Sequence, residues 1–423
     1  MTTDLSKLTT DFERASERIE SVRAKLGERV VAYLSAILVE SAVDRQCMNL
    51  SPVWTRFPTT IPRFIRLPGR MQNHPTITHL AFACVNRCWR VLFPAIVMLQ
   101  AMRFAVRKLG AKSQSVGGHE FVFANSPRAQ EVLPPFVSKD AVWVTTASGT
   151  IHDRTTDSIL GNTTWQEFFA AVWACLKLNR QTASVIPSDG SRMQFYSALE
   201  WNLTWFGMQR ITANADRIWF SNHYDRWAFL IDALPGKAES HLVQHGMLYG
   251  DRLIPSRLRN ISTIYVFDAD SETVFRGLVQ NPDVKFIQNN YSLSLTQFAR
   301  RLQGEKLVLL VGNLLHVEDE ERLINLCLEL DPNVRILVKP HPRSDQQHYQ
   351  KMQGKRVELV VGGKTFPDAD MVLSPESTLG KEYEAMGTPV IWYTRVSTEE
   401  LQTQLTTAFD SSTRSNEGNV QAA

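Results

Sequence analysis

A series of short, nearly continuous apolar runs between residues 120 and 393 constrains the fold of this chain more than any other feature. Each run is followed by a polar or amphipathic stretch, and the clearest runs read RIWF, STIYVF, KLVLLV, RILVK and PVIWY. Strands buried on both faces of a parallel sheet have this composition, whereas a strand with one solvated face alternates apolar and polar residues. The pattern predicts an α/β fold with doubly wound parallel sheets.

The runs fall into two series, which predicts two Rossmann-like domains. The polar stretch NNYSLSLTQFARRLQGE separates the series, and we place the boundary near residue 300. The first domain is expected over residues 111–300 and the second over residues 301–400. A helical region over residues 1–110 precedes them, and residues 401–423 are predicted to be a flexible tail.

The N-terminal region begins with apolar residues at alternating spacings of three and four, which is typical of a helix with a heptad seam. The seam residues are Leu5, Leu8, Phe12, Ala15, Ile19, Val22 and Leu26. Two alternatives follow: this helix packs on the chain's own second helix over residues 30–43, or it associates with a second copy of the chain. A helical, apolar run over residues 77–109 comes later in the same region.

Positive charge is concentrated between Arg45 and His119, a segment with eleven Lys and Arg residues and no Asp or Glu. Such a segment, with aromatic residues among its cations, favours an anionic partner. We predict a membrane surface rather than nucleic acid, because no nucleic-acid-binding module is recognisable. The apolar residues between Arg90 and Arg103 include Pro94 and are fewer than the ~20 that span a bilayer, so this helix is expected to lie in the interface. The alternative is that the run packs inside the first domain.

Cysteine usage and the N-terminus predict a cytoplasmic protein, and the basic segment predicts that it is peripheral on the inner face of the cell membrane. The five cysteines form no disulfide framework, and the N-terminus has acids where a signal peptide has cations and then apolar residues. No second Cys or His pair accompanies Cys84 and Cys88 at a zinc-binding spacing, so both are predicted to be buried thiols. No metal and no cofactor are expected.

The strongest local signal is the stretch LSPESTLGKEYEAMGTPVIWY, which predicts a strand, a helix and a second strand. Ser374 stands where an N-cap belongs, Pro375 where the first helical residue belongs, and Gly387 where the helix ends. In an open parallel sheet, ligands bind at the carboxyl ends of strands, and a helix N-terminus there offers N–H groups to a phosphate. A well-capped helix without a ligand is the alternative.

Side chains at this helix start extend the predicted phosphate site. Ser374, Ser377 and Thr378 supply hydroxyl donors. Glu376 would repel a phosphate, but its carboxylate is suited to accept hydrogen bonds from the two ribose hydroxyls of a nucleotide.

A second stretch, RILVKPHPR, predicts a buried strand whose end carries two cations and an imidazole around two prolines. Lys339 and Arg343 are the cations, and His341 is the imidazole. A histidine at this edge can stabilise the charge that develops on a departing phosphate. A purely structural histidine is the alternative.

A third stretch, SHLVQHG, predicts a strand in the first domain that ends at His245, where Gly246 allows a tight turn. His245 is a candidate base for an acceptor hydroxyl or a ligand of the donor phosphate, and a turn-forming histidine is the alternative. The triplet Asp268-Ala-Asp270 has the form of a metal site but is better explained as a helix start, with Asp270 or Ser271 as the N-cap.

Together and in this order, the sequences QHG, KPHPR and SPEST resemble the motifs of bacterial GT-B glycosyltransferases of capsule and lipopolysaccharide synthesis. These include capsular Kdo transferases, bacterial sialyl- and polysialyltransferases and CDP-glycerol glycerophosphotransferases. The resemblance covers roughly residues 210–395. It implies two Rossmann-like domains that face a cleft. It also implies transfer of a sugar from a nucleotide-activated donor, such as a CMP-linked one, to a growing surface polysaccharide or a lipid-linked acceptor.

The resemblance also implies roles for single residues. In these families the histidine of the His-Pro motif and the Ser/Thr group bind the donor phosphate, which corresponds to His341, Ser377 and Thr378. The histidine of the His-Gly motif is the acceptor base in the glycerophosphotransferases, which corresponds to His245. Sialyltransferases use an acidic pair before a glycine instead, and Asp189 in the sequence SDG is the nearest counterpart, with one acid only.

Two alternatives to a glycosyltransferase stay open. One is a CDP-glycerol-type glycerophosphotransferase, in which the acceptor attacks phosphorus, although PEST stands where those enzymes usually have an Asp-Tyr-Ser-Ser-like segment. The other is a non-catalytic GT-B-like scaffold in polysaccharide assembly.

Overall fold

The computed structural model describes residues 5–50, 75–112, 119–151, 156–181, 191–246, 254–289, 295, 304–313, 317–341, 344, 346–361 and 365–418. The chain divides into two compact units, Met1–Asn289 (unit 1) and Asn290–Ala423 (unit 2), against a predicted boundary near residue 300. Each unit is built on one parallel sheet with helices between its strands. This confirms the predicted fold class of two doubly wound α/β domains.

Unit 1 contains a six-stranded sheet and the helices of the N-terminal region. Its strands are β1 (Glu120–Phe123), β2 (Val142–Val144), β3 (Arg217–Phe220), β4 (Glu239–Val243), β5 (Thr263–Val266) and β6 (Lys285–Gln288). Its helices are α1 (Leu5–Ser21), α2 (Arg23–Leu26), α3 (Glu28–Leu50), α4 (Pro75–Gly110), α5 (Pro127–Val132), α6 (Ile159–Asn162), α7 (Trp165–Gln181), α8 (Ala198–Ile211), α9 (Arg226–Asp232) and α10 (Ala269–Leu278). Two 3-10 helices cover Pro134–Phe136 and Ser191–Ser197.

The strands of this sheet are all parallel, in the order β2-β1-β3-β4-β5-β6. The chain first adds β2 on one side of β1 and then adds every later strand on the other side. The loops that follow β1 and β3 therefore leave in opposite directions and open a crevice at the carboxyl ends of these strands. Ligands of doubly wound folds bind at such a switch point.

The N-terminal helices share one hydrophobic core with the sheet of unit 1. The heptad residues Phe12, Ala15 and Ile19 are buried in that core, and α1 packs on α3. This is the first of the two predicted alternatives for the seam. Glu40 of α3 forms a buried ion pair with Arg226 at the start of α9, in which Arg226 Nε donates to Glu40 Oε1 over 2.9 Å. Residues 1–110 therefore belong to unit 1 and are not a separate domain.

Helix α4 confirms the predicted helical run over residues 77–109. It continues through Pro94 and past Arg90 and Arg103, between which the apolar stretch was counted as too short to cross a bilayer. Within the described part of the chain, Leu80–Gly110 is the one helical stretch that is long and apolar enough to cross a membrane, judged by length and composition. The prediction that the apolar stretch is too short to cross is therefore wrong. Cys84 and Cys88 lie on this helix and are exposed, so the prediction that they are buried thiols is also wrong.

Unit 2 contains a five-stranded parallel sheet in the order β11-β10-β7-β8-β9. Its strands are β7 (Lys306–Val311), β8 (Val334–Lys339), β9 (Val357–Leu359), β10 (Met371–Ser374) and β11 (Val390–Trp392). Its helices are α11 (Val317–Leu330), α12 (Gln346–Gln350), α13 (Thr378–Ala385) and α14 (Thr398–Gly418). Counted within the unit, the order is 3-2-1-4-5, as in dinucleotide-binding Rossmann folds, and the switch point lies between β7 and β10.

Helix α14 corrects the prediction that residues 401–423 are a flexible tail. Leu401, Leu405 and Phe409 recur every four residues, and all three are buried in the core of unit 2. The polar residues that follow Phe409 led to the wrong prediction, because they hide this short apolar stripe. The helix continues to Gly418, and residues 419–423 lie outside the described part of the chain.

Candidate active site

Three neighbouring strands of unit 2, β10, β7 and β8, end side by side. Val311 at the end of β7 lies opposite Lys339 of β8, and Leu310 lies opposite Leu373 of β10. Ser374, the next residue of β10, therefore falls beside Val311. Because neighbouring strands are ~4.8 Å apart, the backbones of Lys339 and Ser374 are about 10 Å apart across one intervening strand. The fold thus brings the ends of two predicted motifs to one edge.

Helix α13 begins at this edge, next to the switch point between β7 and β10. Its N-cap is Ser377, whose Oγ accepts from the N–H of Gly380 over 3.1 Å. The prediction that Ser374 is the N-cap and Pro375 the first helical residue is therefore wrong. The reason is that β10 extends through Ser374, which pairs with Trp392 of β11. The helix has eight residues, just over two turns.

The two serines of this connection are in contact. Ser374 is completely buried, and its Oγ lies 2.7 Å from Ser377 Oγ and donates to the carbonyl oxygen of Pro375 over 2.7 Å. A Cβ on Gly380 would lie 2.5 Å from Ser374 Oγ, so the first turn of α13 approaches β10 as closely as glycine allows. Ser374 therefore positions the N-terminus of α13 from the end of β10. Ser377 and Thr378, the N-cap and the first residue of the helix, are half-buried.

Glu376 is held by a cation that the sequence analysis missed. Arg395 Nε donates to Glu376 Oε1 over 2.7 Å, and the Arg395 guanidinium lies 5.2 Å from the centroid of the Trp392 ring. Arg395 follows β11, whose carboxyl end lies at the same sheet edge, so its strand-end position was the available signal. The pair compensates the negative charge that Glu376 brings next to a predicted phosphate site.

The end of β8 carries the predicted cation and imidazole, and the two differ in their surroundings. Lys339 Nζ donates to the carbonyl oxygen of Thr365 over 2.8 Å and lies 5.2 Å from the Phe366 ring centroid, and burial lowers its pKa. Lys339 thus holds the segment between β9 and β10 at Thr365. His341 is half-buried, and its carbonyl oxygen accepts from the N–H of Ser344 over 2.8 Å.

A buried carboxyl supports the turn after β7. Glu320 Oε1 accepts from the N–H of Asn313 over 2.6 Å, and Oε2 accepts from the hydroxyl of Tyr349 over 2.6 Å. Burial raises the pKa of Glu320 to about 7. A Cβ on Gly312 would lie 3.0 Å from Pro340 Cα and 3.1 Å from the Tyr349 hydroxyl, so the ends of β7 and β8 pack closely here. No local pattern pointed to Glu320.

In unit 1, His245 follows β4 and stacks on His223, which follows β3. The ring centroids are 4.3 Å apart, and the backbone N–H of His245 donates to His223 Nε2 over 3.1 Å. His245 Nδ1 is hydrogen-bonded to the carbonyl oxygen of Ser221. Because a carbonyl can only accept, Nδ1 carries the proton, and Nε2 of neutral His245 retains a lone pair.

Both imidazoles are neutral near pH 7. Burial lowers the pKa of His245 to about 4. Burial, and then the neighbouring His245, lower the pKa of His223 well below its usual range. A neutral histidine whose Nδ1–H is fixed by a carbonyl is oriented to accept a proton at Nε2.

The turn that carries His245 is held by polar contacts to β5 and α10. Gln244 is completely buried; its Oε1 accepts from the N–H of Phe267 over 2.9 Å, and its Nε2 lies 3.2 Å from Ser271 Oγ. Asp268 Oδ1 accepts from the N–H of Ser271 over 2.7 Å, so Asp268 is the N-cap of α10. The prediction that Asp270 or Ser271 is the N-cap is therefore wrong. Within the described ranges, no three His, Cys, Asp or Glu residues form a group that could hold a metal ion.

Two amide oxygens lie at the switch point of unit 1, after β1 and after β3. Asn125 Oδ1 and Asn222 Oδ1 are buried without a hydrogen-bond partner among the residues that the structure describes. Asn222 Nδ2 donates to Asp225 Oδ2 over 2.6 Å, which fixes the orientation of its amide. A buried acceptor without a partner is costly, and a ligand hydroxyl would satisfy it. Neither asparagine was predicted from the sequence.

The remaining predicted residues, Asp189 and Arg343, lie outside the described part of the chain.

Neither protein-family models nor curated protein sequences match this chain. Among solved structures, Anabaena HepE in complex with UDP-glucose is 13% identical, with a TM-score of 0.42 over 70% of this chain and 91% of that one. HepE in complex with UDP and glucose gives 13% identity and a TM-score of 0.40 over 64% and 79%.

A mutant O-GlcNAc transferase from Thermobaculum terrenum is also similar, at 13% identity and a TM-score of 0.32 over 90% of this chain and 72% of that one. These identities and scores are too low to assign an activity.

Proposed function

We propose that this chain is a GT-B-type glycosyltransferase that moves a sugar from a nucleotide-activated donor to a bacterial surface polysaccharide or a lipid-linked acceptor. The observation that carries the proposal is the edge of unit 2. There the switch point of a 3-2-1-4-5 sheet is flanked by the N-terminus of α13 and by the strand end that bears His341. Nucleotide phosphates bind at such a point in Rossmann folds.

In this proposal the donor binds to unit 2. The helix start of α13, with the hydroxyls of Ser377 and Thr378, binds the phosphate next to the sugar, and His341 and Arg343 act on the same group. Glu376, oriented by Arg395, accepts hydrogen bonds from the ribose. Lys339 acts indirectly, by holding the loop at Thr365.

The acceptor is proposed to bind to unit 1 beside His245. Its hydroxyl oxygen attacks the anomeric carbon while its proton passes to His245 Nε2. The bond between that carbon and the phosphate oxygen breaks, and its electron pair remains on the phosphate, where the α13 helix start and His341 stabilise the charge. Asp189 is the alternative base from the sequence. No step uses a metal ion, so activity is expected to persist in a chelating buffer.

A nucleotide panel tests the proposal. Sugars linked to CMP, UDP and GDP, together with CDP-glycerol, are added to the full chain, and the unfolding temperature is recorded. A ligand at about 100 times its Kd stabilises the native state by about 2.7 kcal/mol, which raises the unfolding temperature by several degrees. A shift with a nucleotide sugar, followed by release of its nucleotide in the presence of acceptor, supports a glycosyltransferase.

The same panel separates the alternatives. A shift with CDP-glycerol alone would replace the glycosyltransferase with a glycerophosphotransferase, because attack then falls on phosphorus. Absence of any shift at millimolar nucleotide would contradict the proposal and favour a scaffold.

A further inference from the structure

Helix α4 of unit 1 has two apolar faces, and the residues that the structure describes cover one of them and leave the other exposed. Its inner face is buried in the core of unit 1 and consists of Trp89, Phe93, Val97, Ala101 and Phe104. At about 100° per residue, the opposite face carries a second stripe that contains no charged residue between Val91 and Leu109. The large side chains of this outer stripe are exposed by 50–79% and are Val91, Met98, Met102, Val106 and Leu109.

A second exposed stripe lies on α7, which packs against α4. Trp165, Phe169 and Trp173 recur every four residues and are 42%, 64% and 60% exposed. Lys108 Nζ of α4 lies 5.3 Å from the Trp165 ring centroid, so the aromatic stripe begins beside the C-terminal end of α4. We call the outer stripe of α4 and this aromatic stripe the α4–α7 face. Exposed apolar stripes on two packed helices mark a contact with a partner or a membrane.

The charges around the α4–α7 face are cations. Arg87, Arg90 and Arg103 of α4 are exposed, and the helix has no acid. On α7, Lys177 Nζ lies 5.2 Å from the Trp173 ring centroid at the far end of the stripe. The one acid of α7, Glu167, accepts from Arg210 Nε over 3.0 Å. Apolar and aromatic residues bordered by cations match the interface of an anionic bilayer.

Two cations that the sequence offered for membrane contact are used inside unit 1. Arg107 Nη1 donates to the carbonyl oxygen of Ser148 over 3.1 Å, and Lys108 Nζ donates to that of Leu160 over 2.8 Å. These bonds, together with the buried inner face, hold α4 on the body of unit 1. Crossing a bilayer would require α4 to leave this core, so the contact with lipid is limited to its outer stripe.

We propose that the α4–α7 face binds the surface of an anionic membrane. Helix α4 lies in the plane of the interface, its outer stripe and the aromatic residues of α7 enter the headgroup region, and Arg87 and Arg103 meet lipid phosphates. The proposal rests on this surface alone and is independent of the glycosyltransferase activity.

Vesicle binding of the purified full chain tests the proposal. The vesicles are phosphatidylcholine, either alone or with about one third phosphatidylglycerol. One double variant alters each stripe: Met98→Gln/Met102→Gln on α4 and Phe169→Gln/Trp173→Gln on α7. The double variant Ile287→Gln/Val361→Gln is the matched control. The control side chains are 42% and 75% exposed and lie elsewhere. Because every substituted residue is exposed, the unfolding temperature should stay close to that of the native chain.

The native chain and the control variant should sediment with the anionic vesicles, far less with the neutral ones, and be released by high salt. Each stripe variant should bind about tenfold more weakly or worse, because polar side chains lose the transfer of apolar surface into the interface. Equal binding of native chain and stripe variants would overturn the proposal. So would a dimer that the stripe substitutions dissociate, since a second copy would then cover the face. A chain that only detergent releases would show that α4 crosses the bilayer, which also overturns it.

Discussion

The two units present different chemistry at equivalent places in their folds. The carboxyl edge of unit 1 offers two neutral, stacked imidazoles and two buried amide oxygens. The edge of unit 2 offers a helix N-terminus, serine and threonine hydroxyls and cations. A neutral lone pair suits proton transfer from a hydroxyl, whereas hydroxyls and a helix dipole suit a phosphate. The contrast is the basis for placing the acceptor on unit 1 and the donor on unit 2.

Replacement of His245 should give the largest effect. His245→Asn keeps a hydrogen-bond donor near the Ser221 carbonyl but has no base, so turnover should fall by about 10²–10⁴ while nucleotide affinity stays unchanged. Steady-state kinetics and calorimetry of the same preparation measure the two quantities. His119→Asn, at a side chain that is 80% exposed, is the matched control and should leave both turnover and nucleotide affinity unchanged.

The pH dependence sharpens this prediction. Because burial lowers the pKa of His245 to about 4, His245 stays unprotonated as the pH falls through the usual histidine range, and kcat/KM should decline only near that value. An acidic limb that survives unchanged in His245→Asn would assign the base to another group, with Asp189 as the alternative predicted from the sequence.

His341→Ala tests the unit 2 side of the comparison. Loss of an electrostatic or acid-base group at the departing phosphate should reduce turnover by about two orders of magnitude or more, with little change in the unfolding temperature. Product assays measure the turnover, and thermal unfolding followed by circular dichroism measures the unfolding temperature. A folded variant with undiminished turnover would leave unit 2 without this catalytic role.

Glu320→Gln tests whether the support of the β7 turn depends on pH. Burial raises the pKa of Glu320 from 4.5 to about 7, so its contribution to stability is present at low pH and is lost as the pH rises through 7, by at most about 3 kcal/mol. The free energy of unfolding of the native chain, measured in urea, should therefore fall between pH 5 and pH 8 relative to that of the variant. Identical pH dependence of the two proteins would contradict the protonation change.

Removal of the helix-start hydroxyls should give the smallest effect. Ser377→Ala/Thr378→Ala should weaken nucleotide binding by about 1–3 kcal/mol, the cost of lost hydrogen bonds to a charged group. The change also removes an N-cap, so Ser158→Ala is the control: Ser158 Oγ accepts from the N–H of Gly161 over 3.1 Å, the same contact at the start of α6. Unaltered affinity by calorimetry would move the phosphate site elsewhere.

Local sequence patterns predicted the strands and the motifs at their ends, because parallel strands place their carboxyl ends on one edge. The N-cap was predicted three residues early, since SPEST has a serine at both positions and pairing with β11 decides between them. Contacts between distant residues left no pattern: His223 lies 22 residues from His245, and Glu320 lies 29 residues from Tyr349. Such packing lowers the pKa of both histidines, and the periodicity of the sequence does not reveal it.

Amide hydrogen exchange with and without the best nucleotide tests the division between the units most directly, because it reports both edges of one unmodified chain. A nucleotide bound to unit 2 should slow exchange at residues 377–380 and at Ser344, with no change at residues 221–223 and 244–246. Slower exchange confined to the His223 and His245 edge, or none at either edge despite saturating nucleotide, would contradict it.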